Sequence, residues 1–318
     1  MKTVAFASGK GGTGKTTMTA LFAHLAAREL SVAVADADVE ASNLPLALHV
    51  ENIACESFAG GSKYTIRPEE CASCGLCVAA CRFDAIERDG SGSYRVDGFA
   101  CEGCGACAYA CPYGAVAAEP STAGEACSGD GAVGPVAFGQ LGPGQDLSGK
   151  LVTEVRRLAV DAASRHTADV LLIDGPPGIG CPLIAAVSSV DILVAVTEPT
   201  VSGAHDLERL LAIAGRLKVP VRVVLNKSDL SDEGAERIRS LCISRGLPLL
   251  AEVPFEPALA ALLAGLAEGG TSASFEQTRA GVAVAAAWRA LAGELRREDR
   301  VRSDLRLTER ALSHRRPT

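Results

Sequence analysis

The nine residues from Gly9 to Thr17, GKGGTGKTT, restrict the fold of this chain more than any other stretch. They fit the pattern G-x-x-x-x-G-K-[ST] through Gly9, Gly14, Lys15 and Thr16. The glycines let backbone N–H groups wrap phosphate oxygens, the lysine reaches the β and γ phosphates, and the hydroxyl serves Mg2+. The pattern also occurs by chance, so its surroundings decide. Here the apolar run TVAFA precedes it, an Ala/Leu-rich helical stretch from Thr16 to Leu30 follows, and SVAVADAD then reads as a second strand. Farther along, ADVLLID, VDILVAVTEP, VPVRVVLNKSD and LPLLAEVPF are apolar runs of buried-strand length, separated by helical stretches such as AHDLERLLAIAGRLK. That alternation predicts an α/β fold with a mainly parallel sheet covered on both faces.

A second feature interrupts the pattern. Cys71, Cys74, Cys77 and Cys81 have the spacing C-x2-C-x2-C-x3-C; Cys101, Cys104, Cys107 and Cys111 repeat it thirty residues later, with Pro112 behind the last cysteine. The N-terminus lacks the apolar region and cleavage site of a signal peptide, which points to the cytoplasm, where cysteines are read as metal ligands before disulfides. Cys55, Cys127 and Cys242 lie outside the two groups and read as unligated thiols. The organisation expected is an α/β domain in two parts, 1–60 and 149–297, an insert over 61–120, a Gly/Pro/Ser-rich connector over 121–148 and a charged tail over 298–318. A net charge of -7 gives no general attraction to nucleic acid or anionic lipid. No apolar run reaches membrane-spanning length, and the tail's apolar stripe is too thin for a surface anchor.

Beyond these patterns, the string Lys10, Gly11, Gly12, Thr13, Gly14, Lys15, Thr16, Thr17 resembles the deviant Walker A motif of the MinD/ParA/nitrogenase iron protein superfamily. The resemblance extends through ADADVEASNL, VLLIDGPPGIG and TEPTVSGAHDLERLL to nearly the whole chain except the tail, in the form of MinD-like ATPases with an inserted ferredoxin domain. It implies a nucleotide-dependent homodimer in which Lys10 reaches the partner's phosphates. It also implies that Asp38 orients the attacking water near Mg2+, that Asp174 ends the Walker B strand in the metal's outer shell, and that Asn226 contacts adenine. Asp36 and Asn43 are weaker candidates in switch I, and either could simply cap a helix. LNKSD invites a guanine-binding reading, but the deviant loop favours ATP.

The cysteine segment resembles bacterial two-cluster ferredoxins, in which the fourth cysteine of each run ligates the other cluster. Cys71, Cys74, Cys77 and Cys111 would hold one 4Fe-4S cluster, and Cys81, Cys101, Cys104 and Cys107 the other. Arg82 stands where the motif usually has proline, and its charge would raise the neighbouring potential. Cys181, seven residues after Asp174, stands where the iron protein has a ligand to a cluster shared between subunits; a small residue at a helix start is the alternative. Three functions follow. An ATPase could gate electron transfer to a redox protein, an ATP-controlled carrier could deliver iron-sulfur units to an apo metalloprotein, or a MinD-like module could position its partner.

Overall fold

Several strands are apolar without alternation, because helices cover both faces of the sheet they enter. Residues 4–7, 32–35, 170–173 and 192–196 are all buried. In the computed structural model, residues 1–313 are described apart from 89, 91, 144, 146, 260, 262, 264 and 266–272; for 273, 274 and 297–313 only the backbone is described.

The chain opens with β1 (Lys2–Ser8), α1 (Lys15–Ala26), β2 (Val32–Asp36), α2 (Leu44–Ala47) and β3 (Glu51–Ile66). A cysteine-rich lobe follows, with α3 (Leu76–Ala80), β4 (Ile86–Arg88), β5 (Tyr94–Val96) and α4 (Ala106–Ala110). The chain returns through β6 (Val116–Gly131), β7 (Gly134–Leu141), α5 (Ser148–Arg165) and β8 (Val170–Pro177). Then come α6 (Cys181–Val187), β9 (Ile192–Thr197), α7 (Val201–Leu217), β10 (Val221–Asn226), α8 (Asp232–Arg245), β11 (Leu249–Val253) and a last helix, Arg279–Ser313.

One sheet has the order β11-β10-β9-β1-β8-β2-β7-β6-β3. Pairing is parallel from β11 to β7 and antiparallel for β7–β6 and β6–β3. On one face α1 and the last helix pack through Phe6, Phe22 and Trp288, whose rings meet edge to face. The other face is covered by α5, α6, α7 and α8.

Where the sequence suggested a connector over 121–148, the chain instead forms the second half of β6 and all of β7. The glycines there serve close packing rather than a loop. A Cβ on Gly139 would stand 2.8 Å from Val155 and 3.1 Å from both Leu151 and Val39, and the Val32 carbonyl fills the space beside Gly134. Small residues therefore belong to strands pressed under α5, where no apolar alternation could mark them. The tail differs too, since the last helix continues through 298–313; residues 314–318 lie outside the described residues.

Strands β3 and β6, sixteen residues each, form a ribbon that at 3.2–3.4 Å per residue spans roughly 50 Å. β7 supports β6 only from Gly124 to Gly131, so the farther part of the ribbon leaves the sheet. At the departure point the register slips twice, between Phe58 and Gly61, opposite Ser121 and Thr122. Such bulges bend a strand pair. The cysteine-rich lobe sits at the ribbon's tip, where Tyr64↔Ala118 and Ile66↔Val116 repeat, thirty residues away, the pairing of Tyr94↔Arg88 and Val96↔Ile86.

Cys55 and Cys127 are register partners across the ribbon and are joined as a disulfide, with Cα atoms 4.0 Å apart. The expectation of free thiols is corrected here. Directly opposed positions on an antiparallel pair bring their Cβ atoms together, which spacing along the sequence does not reveal.

Candidate functional site

The loop after β1 turns into α1 through Gly14, whose φ is +87°, and Asn226 Nδ2 occupies the space a Cβ would need there. Gly11 and Gly12 are exposed, Thr13 is buried, and Thr16 and Thr17 open α1 half-buried. Lys15 is 6% exposed, and its Nζ lies 2.8 Å from Asp174 Oδ1. Asp174, fully buried at the middle of the sheet, also accepts from Thr16 Oγ1 at 2.6 Å and from Thr19 Oγ1 at 2.9 Å. Thr13 Oγ1 is buried without a hydrogen-bond partner among the described residues. An orphaned hydroxyl inside a glycine loop, beside a lysine and a threonine on one carboxylate, fits a Mg2+-bound nucleotide phosphate.

Asp36 is fully buried one strand away from Asp174, in register with it. It accepts from the backbone N–H of Asp38 and Leu44 and from Ser42 Oγ, and so holds the switch loop in shape. Burial, and then the charge of Asp174, push its carboxyl up to about 7. Asp38 is half-buried at the loop's start; burial raises its carboxyl, with the Lys15 ammonium opposing. Asn43 hydrogen-bonds the Ala41 carbonyl and is exposed.

Two expected side chains are occupied differently. Lys10 Nζ lies 2.5 Å from Glu198 Oε1 and 3.0 Å from Ser202 Oγ of its own chain. Burial works to raise the Glu198 carboxyl, but the hydrogen bonds and charges of Lys10 and Lys227 prevail and hold it below its usual range. Asn226 donates to the Thr13 carbonyl at 2.7 Å, so it braces the phosphate loop from beneath. Lys227 adds a second brace on Gly12 O at 2.7 Å. Asp229 accepts from Phe255 N–H, while Ser231 caps α8. Glu198 and Thr19 carried no sequence signal, because a lone acid or threonine is marked only by what surrounds it.

The eight grouped cysteines line two small cavities of about 20 Å³ each in the lobe. One is bounded by Cys71, Cys74, Cys77 and Cys111, the other by Cys81, Cys101, Cys104 and Cys107. Ser73 and Gly103, Gly75 and Gly105, and Asp84 and Gly114 all have positive φ, so the two cysteine loops follow the same path. Tyr64 lies against Gly105 and Tyr94 against Gly75, in matching places of the two cavities. A zinc ion bound by thiolates at 2.3 Å would bring sulfurs within about 3.8 Å of one another. A 4Fe-4S cluster holds its thiolates farther apart than that, and four cysteines around one cavity are the donor set it takes. Arg82 is exposed beside Cys81. Cys181 is exposed at the first position of α6, against the backbone of Gly149 in the first turn of α5. Cys242 is buried, and its thiol is raised by burial.

A phosphate loop and a strand-end aspartate on a parallel sheet define a P-loop nucleotide-binding protein. More narrowly, the model of the CobQ/CobB/MinD/ParA nucleotide binding domain matches residues 4–266, and the chain belongs to that family. An uncharacterized protein of Methanocaldococcus jannaschii is 34% identical over 230 residues, 72% of this chain and 79% of that protein. A second protein of the same organism, named an uncharacterized ATP-binding protein, is 27% identical over 257 residues, covering 80% of this chain and 74% of its own. Among solved structures, the septum site-determining protein MinD of Pyrococcus horikoshii, complexed with Mg-ADP, superposes with a TM-score of 0.51. It covers 92% of this chain and 98% of its own at 20% identity, a likeness of fold. No helix among the described residues is long and apolar enough to cross a membrane.

Proposed function

We propose that this chain is a Mg2+-dependent ATPase whose nucleotide-driven homodimer gates electron transfer through two 4Fe-4S clusters. The observation that carries the reading is the grouping of the eight cysteines. Each cavity takes three from one run and the fourth from the other, as a two-cluster ferredoxin requires. The cluster unit then falls within the insert over 61–120, and the ribbon that bears it continues the sheet of the ATPase.

In this reading the ATP phosphates sit on the loop from Gly11 to Thr17, with Lys15 on the β and γ phosphates. Thr16 and Asp174 serve Mg2+, and Asp38 aligns water for in-line attack. Lys10 leaves Glu198 to reach the partner's nucleotide. Asn226, once its brace on Thr13 relaxes, is the proposed adenine contact. Bound there, the clusters would supply one-electron carriers, and the four cysteines lining each cavity would leave no coordination site open. That retention favours electron transfer over delivery of clusters. Phe99 and Tyr109 on the lobe are 94% and 97% exposed, which suits contact with a redox partner protein.

A physical route from phosphate to lobe supports gating. The turn after Asp174 leads to Cys181, which lies against Gly149 in the first turn of α5. At the start of the same helix, Leu147 fills the space beside Gly60 at the ribbon bulge. A shift of the turn on hydrolysis would thus press on the point where the ribbon bends.

The test is anaerobic. Reconstituted protein should bind about eight irons per chain and, once reduced, should pass electrons to an acceptor faster or slower when ATP is added. An iron count of about ten would instead support a shared cluster at Cys181. Equal transfer rates with and without ATP would remove gating, and ATP-driven movement of labelled iron to an apo-protein would replace it with the carrier reading.

A further inference from the structure

A cavity of about 240 Å³ lies where the ribbon leaves the sheet, away from the phosphate loop. It is walled by Ser62 and Lys63 of β3, Ser121 of β6, Lys150 in the first turn of α5, and Glu102 and Gly103 of the second cysteine loop. We propose that it binds a small dianion, a dicarboxylate or a phosphate monoester, between Lys63, Lys150 and the start of α5.

Size sets the first limit. Pockets for drug-sized ligands run from about 300 to 1,000 Å³, so this one suits a smaller metabolite. Charge sets the second. Two lysines line the cavity, and among the described residues Glu102 is the one acid on its wall. On a chain with net charge -7 that local excess of positive charge runs against the whole. Lys150 forms no ion pair among the described residues. Lys63 Nζ donates one hydrogen bond to the carbonyl of Cys101, the neighbour of Glu102 in the cavity wall, and keeps two protons to donate. The eighteen-residue α5 adds a third source of positive potential, since its N-terminus, where Leu147 makes no side-chain cap, borders the cavity. Ser121, in register with Gly61 and so on the same face of the ribbon as Lys63, adds a hydroxyl. By contrast, the two cysteine cavities are lined mainly by apolar side chains and thiols.

Glu102 and Gly103 also line the cavity of Cys81, Cys101, Cys104 and Cys107. A dianion would therefore lie behind the loop of one cluster only. Added negative charge opposes reduction, so binding would lower the midpoint of that cluster and leave the other nearly unchanged. The redox consequence rests on the iron-sulfur reading above, whereas binding itself does not.

Calorimetry on the full chain saturated with Mg-ADP, so that the phosphate loop is occupied, reads binding without reference to the clusters. Inorganic phosphate or succinate should titrate one site per chain, and the tighter of the two tells the ester from the dicarboxylate. Lys150→Gln, at an exposed position, should weaken binding tenfold or more, and Lys63→Gln should do the same. In the reconstituted protein, the bound probe should move one of the two midpoints to a more negative value. Absence of saturable binding by either probe, or wild-type affinity in both variants, overturns the site. Binding that shifts neither midpoint in a cluster-loaded protein overturns its placement beside the loop.

Discussion

Lys10 illustrates how far a side chain's partner can differ from its motif. By resemblance it serves the neighbouring subunit, yet here it lies on Glu198 and Ser202 of its own chain. Release of that pair must precede any contact across a dimer. Lys10→Ala should leave Mg-ATP binding intact and abolish ATP-dependent self-association in sedimentation experiments. Glu198→Gln should strengthen association about two- to tenfold, the range of a half-exposed ion pair discounted for solvent; no change would show that Glu198 does not restrain Lys10. Asp36 carries a pH dependence. Its folded carboxyl is pushed up to about 7, against 3.8 as the ordinary value. Between those values the native protein holds a proton that the unfolded chain has lost, so stability falls as pH rises through the window and levels off above it. Urea midpoints of the nucleotide-free protein should drop between about pH 5 and pH 7.5 by an amount worth a few kcal/mol at most. Asp36→Asn should flatten the slope, and an equal slope in that variant would assign it to another group.

At the scale of elements, the ribbon and α5 are the parts the sequence disguised. The run from Ser121 to Gly149 has the composition of a loop because its strands are packed too tightly for larger side chains, and composition does not separate the two cases. Cys55 and Cys127 are 72 residues apart, and only the register of β3 and β6 makes them partners. Reduction, or Cys55→Ser with Cys127→Ser, should destabilise the oxidised protein by up to about 4 kcal/mol, the chain-entropy value for a loop of that length. Hydrogen exchange should quicken along the ribbon, and unchanged protection would mean that the strands hold without the bond. Leu147→Ala tests the route from switch to lobe. ATP hydrolysis should persist, while the effect of ATP on cluster reduction should shrink severalfold because the ribbon bulge loses its contact with α5. If nucleotide still acts on the clusters at full strength, the signal travels elsewhere.

Across the whole molecule, the two cysteine cavities separate sequence order from spatial partnership, and the proposed ligation is crossed accordingly. Cys81→Ser should damage the cluster of Cys101, Cys104 and Cys107 and spare that of Cys71, Cys74 and Cys77, with Cys111→Ser doing the reverse. Paramagnetic resonance of the two reduced clusters reads this directly, and loss of the cluster within the mutated run would refute the crossing. The phosphate loop, the parallel core and the two cysteine runs were legible from residues alone, because glycine conformation, uninterrupted apolar strands and thiol spacing are local constraints. The tertiary structure decided how these parts meet. It set Asn226 beneath the phosphate loop, folded Lys10 back on Glu198, and made a disulfide of two cysteines that the sequence left unpaired. It also drew the interrupted sheet out into a ribbon with the lobe at its tip. Each of those results depends on strand register or on packing between distant segments, and neither is written in the order of neighbouring residues.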